Sequence, residues 1–261
     1  MSDERVSVTV SGHIADVRLN RPDKLNAIDT AMFQALSEAA ADLAGRAGVR
    51  AVVLSGAGRG FCAGLDLASL GGSGLAESMT ARTHGFANLF QHAVWGWREL
   101  PVPVIAAVHG TAFGGGLQIA LAADIRIVAP DAKLAVLEAR WGLVPDMAGM
   151  ALLRGLVRDD VARDLTYTAR TVSGTEAVSL GLATRTASDP HDAAMTLAAQ
   201  IAAGSPRAVQ AAKRLFSLSQ DAGAADILRA ESAEQEPLLT GPDLAEAVTA
   251  HAEGRAPTFE D

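Results

Sequence analysis

The chain lacks the means for a disulfide framework, a thiolate metal cluster or a polyanion-binding face. Its 261 residues include one cysteine, Cys62, so no intrachain disulfide can form. No His/Asp/Glu spacing suggests a metal site either. The 22 basic residues are outnumbered by 30 acidic ones, a net charge of −8, and no basic run stands out. That balance argues against nucleic acid and anionic membranes as partners, while allowing a local basic pocket for a phosphorylated ligand. No window approaches the roughly 20 uninterrupted apolar residues of a membrane span. The opening M-S-D-E-R-V is acidic and polar, without the apolar stretch of a signal peptide or the Arg-rich stretch of a transit peptide. A cytoplasmic protein with no membrane insertion is expected.

What remains is a composition that can fold. Hydrophobic residues make up 49% and charged residues 20%, enough for one large domain or a core with an appendage. Val6, Val8 and Val10 alternate, and Ile14, Val17 and Leu19 follow Ser11-Gly12, which predicts a hairpin. Asp29 is placed to cap a helix with Phe33, Leu36, Ala40 and Leu43 on one face. Residues 51–54 and 102–108 are apolar strands, and 124–129 and 133–136 are further strand candidates. Between them, residues 70–74 (L-G-G-S-G) are expected to form a mobile loop, followed by a longer helix reaching about Leu100, where P-V-P stops it. The strand, strand, helix rhythm implies a mixed α/β core over residues 1–190. Residues 191–261 are expected to form a helical C-terminal region, with helices at 193–203, 206–218, 224–236 and 242–251 separated by Gly, Pro or Ser. Such a tail serves oligomerisation or covers an active site, or else simply packs on its own core.

Two segments carry the chemistry. A-F-G-G-G-L-Q-I-A-L-A-A-D sets three glycines where an alanine-rich helix begins. Helix N-termini offer unpaired N–H groups and partial positive charge, which suit an oxyanion. L-E-A-R-W-G-L-V-P-D then sets Glu138 and Asp146 eight residues apart. Two nearby carboxylates could move protons on the carbon skeleton attached to that oxyanion. The combination points to enolate chemistry. Asp146 could equally cap a helix starting near Met147. His84 and His92 fall in the expected helix and read as structural or exposed, and His109 as a satisfied turn residue. Cys62 has no base placed to activate it. Gly58, Gly60 and Ala63 formally match a dinucleotide G-x-G-x-x-A pattern, but a flexible stretch follows where that pattern needs a helix.

These residues resemble the crotonase (enoyl-CoA hydratase/isomerase) superfamily almost end to end. The likeness runs through L-N-R-P-D-K-L-N-A-I, V-L-S-G-A-G-R-G-F-C-A-G-L-D-L, P-V-P-V-I-A-A-V-H-G-T-A-F-G-G-G and V-S-G-T-E-A-V-S-L-G-L-A, in that order. The resemblance implies a spiral of ββα units with a C-terminal helical region, assembled as a homotrimer or hexamer. It implies an acyl-CoA thioester substrate, with coenzyme A as part of that substrate and no separate cofactor. The thioester oxygen would take the N–H groups of Leu65 and Gly115, with Lys24, Ala63, Asp66 and Leu67 around the CoA. Family hydratases hold water between two glutamates. Here the second is Glu138, but Gln118 stands at the first and cannot exchange a proton at physiological pH. Asp146 stands where dienoyl-CoA isomerases place an aspartate, though those relatives often carry an acid at the Gln118 position as well. The expectation is therefore conversion of 3,5-dienoyl-CoA to 2,4-dienoyl-CoA by Glu138 and Asp146. Enoyl-CoA hydration, 3-enoyl to 2-enoyl isomerisation by Glu138 alone, and non-catalytic acyl-CoA binding are the alternatives.

Overall fold

The computed structural model describes residues 4–68 and 79–261. Strands β1 (Val6–Ser11) and β2 (Ile14–Leu19) form the expected hairpin. Helix α1 (Thr30–Ala44) follows, capped as expected: the Asp29 side chain accepts from Met32 N at 2.9 Å. Such a cap stabilises a helix by about 0.5–2 kcal/mol. Strand β3 (Ala51–Gly56), helix α2 (Leu89–Glu99), strands β4 (Val104–Val108) and β5 (Thr111–Phe113), and helix α3 (Gly115–Ala122) come next. Strands β6 (Ile125–Val128) and β7 (Lys133–Ala135) lead to a short 3-10 turn at Glu138–Trp141. Beyond it lie α4 (Gly149–Arg154), α5 (Asp159–Thr168), β8 (Val172–Ser173), α6 (Gly174–Leu180) and β9 (Arg185–Thr186). Helices α7 (Pro190–Ala202), α8 (Pro206–Leu218), α9 (Ala224–Leu239) and α10 (Pro242–Glu253) close the chain.

The larger sheet runs β1-β2-β3-β4-β6-β9, parallel except for its β1/β2 hairpin, and the smaller one runs β5-β7-β8. After β3, Cys62 bridges Ala112 of β5. After β4 and β6, the chain enters β5 and β7, which pair with each other. Each turn thus crosses the large sheet and then the small one, the crotonase-like α/β spiral that the sequence suggested. Strand alternation sorts the core into two layers. Val52, Leu54, Val104, Ala106 and Val108 face the layer that includes residues of α1 and α2. Ala51, Val53, Ile105, Ala107 and Ile127 face Ala194, Ala198 and Ala202 of α7. Alanine at those helix positions lets α7 lie close along the sheet.

One expectation needs correction. The helix ending near Leu100 begins only at Leu89, because Asn88 caps it with Gln91 in a reciprocal box; residues 79–88 are turns and a bridge between His84 and Ala87. His84 therefore lies outside the helix, while His92 lies within it. The expected loop at 70–74 falls outside the described residues. The helix expected near Met147 is α4, which starts at Gly149, whereas the short helices α5 and α6 were not foreseen. In the C-terminal region α7 packs on β2, β3, β4 and β6. Helix α8 is pinned to the core by Lys213, whose Nζ donates to Val102 O at 2.7 Å and Asp124 Oδ2 at 2.9 Å. By contrast, α9 has no buried residue along its 16 positions.

Candidate active site

The site lies where the glycine elbow before α3 meets the segment after β3. Ile28 and Leu65 form a parallel bridge, closed by Ile28 N to Gly64 O (2.8 Å) and Asp66 N to Ile28 O (2.9 Å). Those bonds use the neighbours of Leu65, so its own N–H points to the other side of the segment. Gly64 has φ +88°, and a Cβ there would lie 2.6 Å from Phe113 O and 3.7 Å from Gly115 N. The absence of that atom lets the two backbones approach each other. Gly115 is the first residue of α3, so its N–H has no carbonyl within the helix to bind. Leu65 and Gly115 line the same cavity, of about 310 Å³.

Glu138 and Asp146 line that cavity too. Glu138 opens the 3-10 turn after β7 and is only 8% exposed. Among the described residues, its Oε2 is one of two buried side-chain oxygens or nitrogens with no hydrogen-bond partner. Burial pushes its carboxyl up from the usual carboxylate range, and the Asp146 charge adds to this; a hydrogen bond from Gln118 works against it. Asp146 is exposed along the cavity wall, and partial loss of water still pushes its carboxyl up. The capping alternative does not hold. Helix α4 begins at Gly149, its cap residue is Ala148 in a left-handed conformation, and the first N–H of the helix goes to the side chain of Gln118, not to Asp146.

Gln118, 3% exposed on the first turns of α3, is engaged at both ends of its amide. Its Oε1 accepts from Met147 N and Gly149 N, each at 2.9 Å, and its Nε2 donates to Glu138 Oε1 at 2.6 Å. Ala63 and Leu67 line the cavity, whereas Lys24 and Asp66 do not. Lys24 is exposed at the end of a 3-10 turn (Pro22–Lys24). Asp66 takes a 2.8 Å ion pair from Arg21, which holds its carboxyl below the usual range. Arg21 also donates to Ala27 O, so the pair ties the loop around Lys24 to the Leu65 segment. Buried Asn26 strengthens that tie by donating to the carbonyls of Ala57, Gly60 and Phe61.

Sequence reasoning missed the apolar wall of the cavity. Phe33 and Phe90 meet edge-to-face at 4.8 Å, while Trp141 and Val144 stay 59% and 68% exposed on the rim. Periodicity marks Phe33 as core, and nothing in a loop sequence separates a rim residue from a packed one. His84 and His92 stack at 4.3 Å and bond to Ser37, outside the cavity. His109 bonds Gly58 O as a turn residue. Cys62 is buried, and burial pushes its thiol up to about 12. Among the described residues no group of three or more His, Cys, Asp or Glu could hold a metal ion, and no helix is long and apolar enough to cross a membrane. A larger cavity, about 700 Å³, lies between α2, α4 and α8, but it contains neither the glycine amides nor the two carboxylates.

The spiral fold and the cavity that gathers two backbone amides and two carboxyl groups can be set beside known proteins. The family model for enoyl-CoA hydratase/isomerase matches residues 9–261, and the chain belongs to that family of enzymes. It is 37% identical over 256 residues to a Mycobacterium tuberculosis H37Rv protein named as a probable enoyl-CoA hydratase, EchA12, covering 95% of this chain and 90% of that one. It is 33% identical over 253 residues to the human mitochondrial Delta(3,5)-Delta(2,4)-dienoyl-CoA isomerase, covering 93% and 77%. The crystal structure of a Bacillus anthracis enoyl-CoA hydratase superposes with a TM-score of 0.90 at 29% identity, covering 98% of each chain.

Proposed function

We propose that this enzyme isomerises 3,5-dienoyl-CoA to 2,4-dienoyl-CoA. In this reading the thioester oxygen sits against the N–H groups of Leu65 and Gly115. One carboxylate of the Glu138/Asp146 pair takes a proton from carbon 2. The electron pair moves through the conjugated chain, charge gathers on the thioester oxygen, and the two amides stabilise it where it forms. The other carboxyl, entering protonated, delivers a proton to carbon 6, which leaves double bonds at carbons 2 and 4. The observation that carries the reading is that two carboxyl groups, both pushed upward, share one largely apolar cavity while Gln118 offers no third proton carrier. Burial favours the proton on both carboxyls, and at Glu138 the neighbouring charge adds to it, the condition under which one of a pair serves as acid while the other serves as base. The name of the human relative supports the same reaction.

The CoA moiety would lie near Lys24, Ala63, Asp66 and Leu67, with the ammonium of Lys24 available to its phosphates. No cofactor besides the CoA of the substrate is needed. Assembly into a homotrimer or hexamer belongs to the same reading. Its support is α9, which buries nothing within one chain and exposes Leu228 and Leu239. A second reading, proton transfer by Glu138 alone between carbons 2 and 4 of a 3-enoyl thioester, is favoured by the exposure of Asp146.

A panel of 2-enoyl-, 3-enoyl- and 3,5-dienoyl-CoA, assayed for hydration and double-bond migration with wild type and Asp146→Asn, separates these. The expected result is dienoyl isomerisation by wild type and a loss of about 10²- to 10⁴-fold in the variant, with little change in melting temperature. Unchanged isomerisation in Asp146→Asn would favour the single-glutamate reading.

A further inference from the structure

We propose that Gln118 is a positioning residue that makes the two carboxylates unequal, binding Glu138 Oε1 so that proton exchange goes through Oε2, and tying the turn that carries Asp146. The proposal rests on the reading of Glu138 as a proton carrier. The orientation of the amide follows from its partners. Two backbone N–H groups, from Met147 and Gly149, meet one end of the group, and that end must be the acceptor oxygen. The nitrogen is then aimed at Glu138 Oε1, 2.6 Å away. With Oε1 so engaged, the partnerless Oε2 is the oxygen left to reach a substrate carbon.

The surroundings are built around this clamp. A Cβ on Gly149 would lie 2.6 Å from Gln118 Oε1, so glycine is what allows the double acceptance. The next residue toward the N-terminus, Ala148, adopts φ +66°, a conformation costly for a side-chain-bearing residue. The tie to both flanking amides holds it there. Asp146 immediately precedes Met147, so the tie also fixes the backbone that delivers its carboxyl. Met147 in turn backs the amide donor: its sulfur would lie 2.8 Å from a Cβ on Gly115. One neutral side chain therefore connects both proton carriers and the N–H of Gly115. Glutamine meets this demand because one of its ends accepts twice while the other donates to an ionised oxygen. A glutamate could keep the two backbone bonds, but would then face Glu138 carboxylate to carboxylate.

The test is hydrogen–deuterium exchange at carbon 2 of hexanoyl-CoA, followed by mass spectrometry as a function of pH. Hexanoyl-CoA has no double bond to move or hydrate, so the readout is independent of the dienoyl assignment. The proteins are wild type, Gln118→Glu and Gln118→Met. In wild type the N–H of Gln118 favours ionised Glu138, so its loss raises the proton affinity of that carboxyl. The acid limb of the exchange profile is expected to rise by about one pH unit or more in Gln118→Glu, where two carboxylates share a proton. It rises in Gln118→Met as well, because the N–H that faces Glu138 is lost. Should Gln118→Met fail to fold, Gln118→Glu retains both backbone bonds and decides alone. An unmoved limb, even with slower exchange or a lower melting temperature, would reduce Gln118 to a structural residue and overturn the proposal. Absence of exchange in wild type would overturn it together with the role of Glu138. Normal exchange and a shifted limb, with no dienoyl isomerisation, would sink the proposed reaction and uphold the clamp.

Discussion

Replacing Glu138 with glutamine should move activity and stability in opposite directions. The orientation of Gln118 is set by Met147 N and Gly149 N, so its Nε2 must still face residue 138. The new amide can meet it by presenting its own carbonyl oxygen, which preserves the contact now made at 2.6 Å. Its NH₂ then occupies the place of Oε2 and can neither take nor return a proton. A lost general acid–base group costs about 10²- to 10⁴-fold in rate, or ~3–5 kcal/mol at about 1.4 kcal/mol per decade. Acyl-CoA affinity should be nearly unchanged. Stability follows from the raised carboxyl of Glu138. In the folded chain it holds its proton more tightly than at the ordinary value of 4.5 that applies when unfolded. The stability this confers is complete below the unfolded value and is lost as pH rises through the folded one. At neutral pH the ionised group is therefore a net cost, with Oε2 buried and unpartnered. An uncharged amide lessens that cost, and each ~1 kcal/mol relieved would appear as a rise of about 2–4 °C in Tm. The assays are single-turnover isomerisation, calorimetric binding, and thermal melts at neutral and acidic pH. The stability advantage of the variant should shrink as the pH is lowered. Wild-type turnover in a folded variant would remove Glu138 from the mechanism, and a clear fall in Tm at neutral pH would refute the electrostatic argument.

Gly64→Ala should disable the site from behind. It puts a side chain on a residue with φ +88° and a carbon 2.6 Å from Phe113 O, so the Leu65 and Gly115 amides must separate. Loss of one such donor costs about 10²- to 10³-fold in kcat; near-normal kcat in the folded variant would show that these amides do not stabilise the transition state. Gln118→Glu should gain measurable hydration of a 2-enoyl-CoA above a weak wild-type rate, because it adds the proton carrier that glutamine cannot supply. Fast hydration by wild type in progress curves would contradict this.

The parts legible in the sequence were those governed by local repetition and special backbone geometry. Alternating valines gave β1, the spacing of Phe33, Leu36, Ala40 and Leu43 gave the inner face of α1, and Asp29 gave its cap. The glycines before α3 were legible because few arrangements other than a tight elbow ask for three in a row ahead of an alanine-rich run. Competition between partners was not legible. Asp146 has the chemistry of a cap, yet the turn ahead of α4 is closed by the side chain of Gln118, whose oxygen takes the N–H of Gly149 and leaves Asp146 on the cavity wall. Nor could spacing show that α2 begins at Leu89, since the reciprocal bonds of Asn88 and Gln91 decide where the helix starts. The same limit applies to Gln118 itself. Its side-chain type shows only that it cannot carry a proton. That its amide joins Glu138 to the Met147–Gly149 backbone depends on contacts 20, 29 and 31 residues away in the chain. A residue that looks like a lost catalytic acid in one dimension becomes, in three, the link that sets which carboxylate oxygen is left to work.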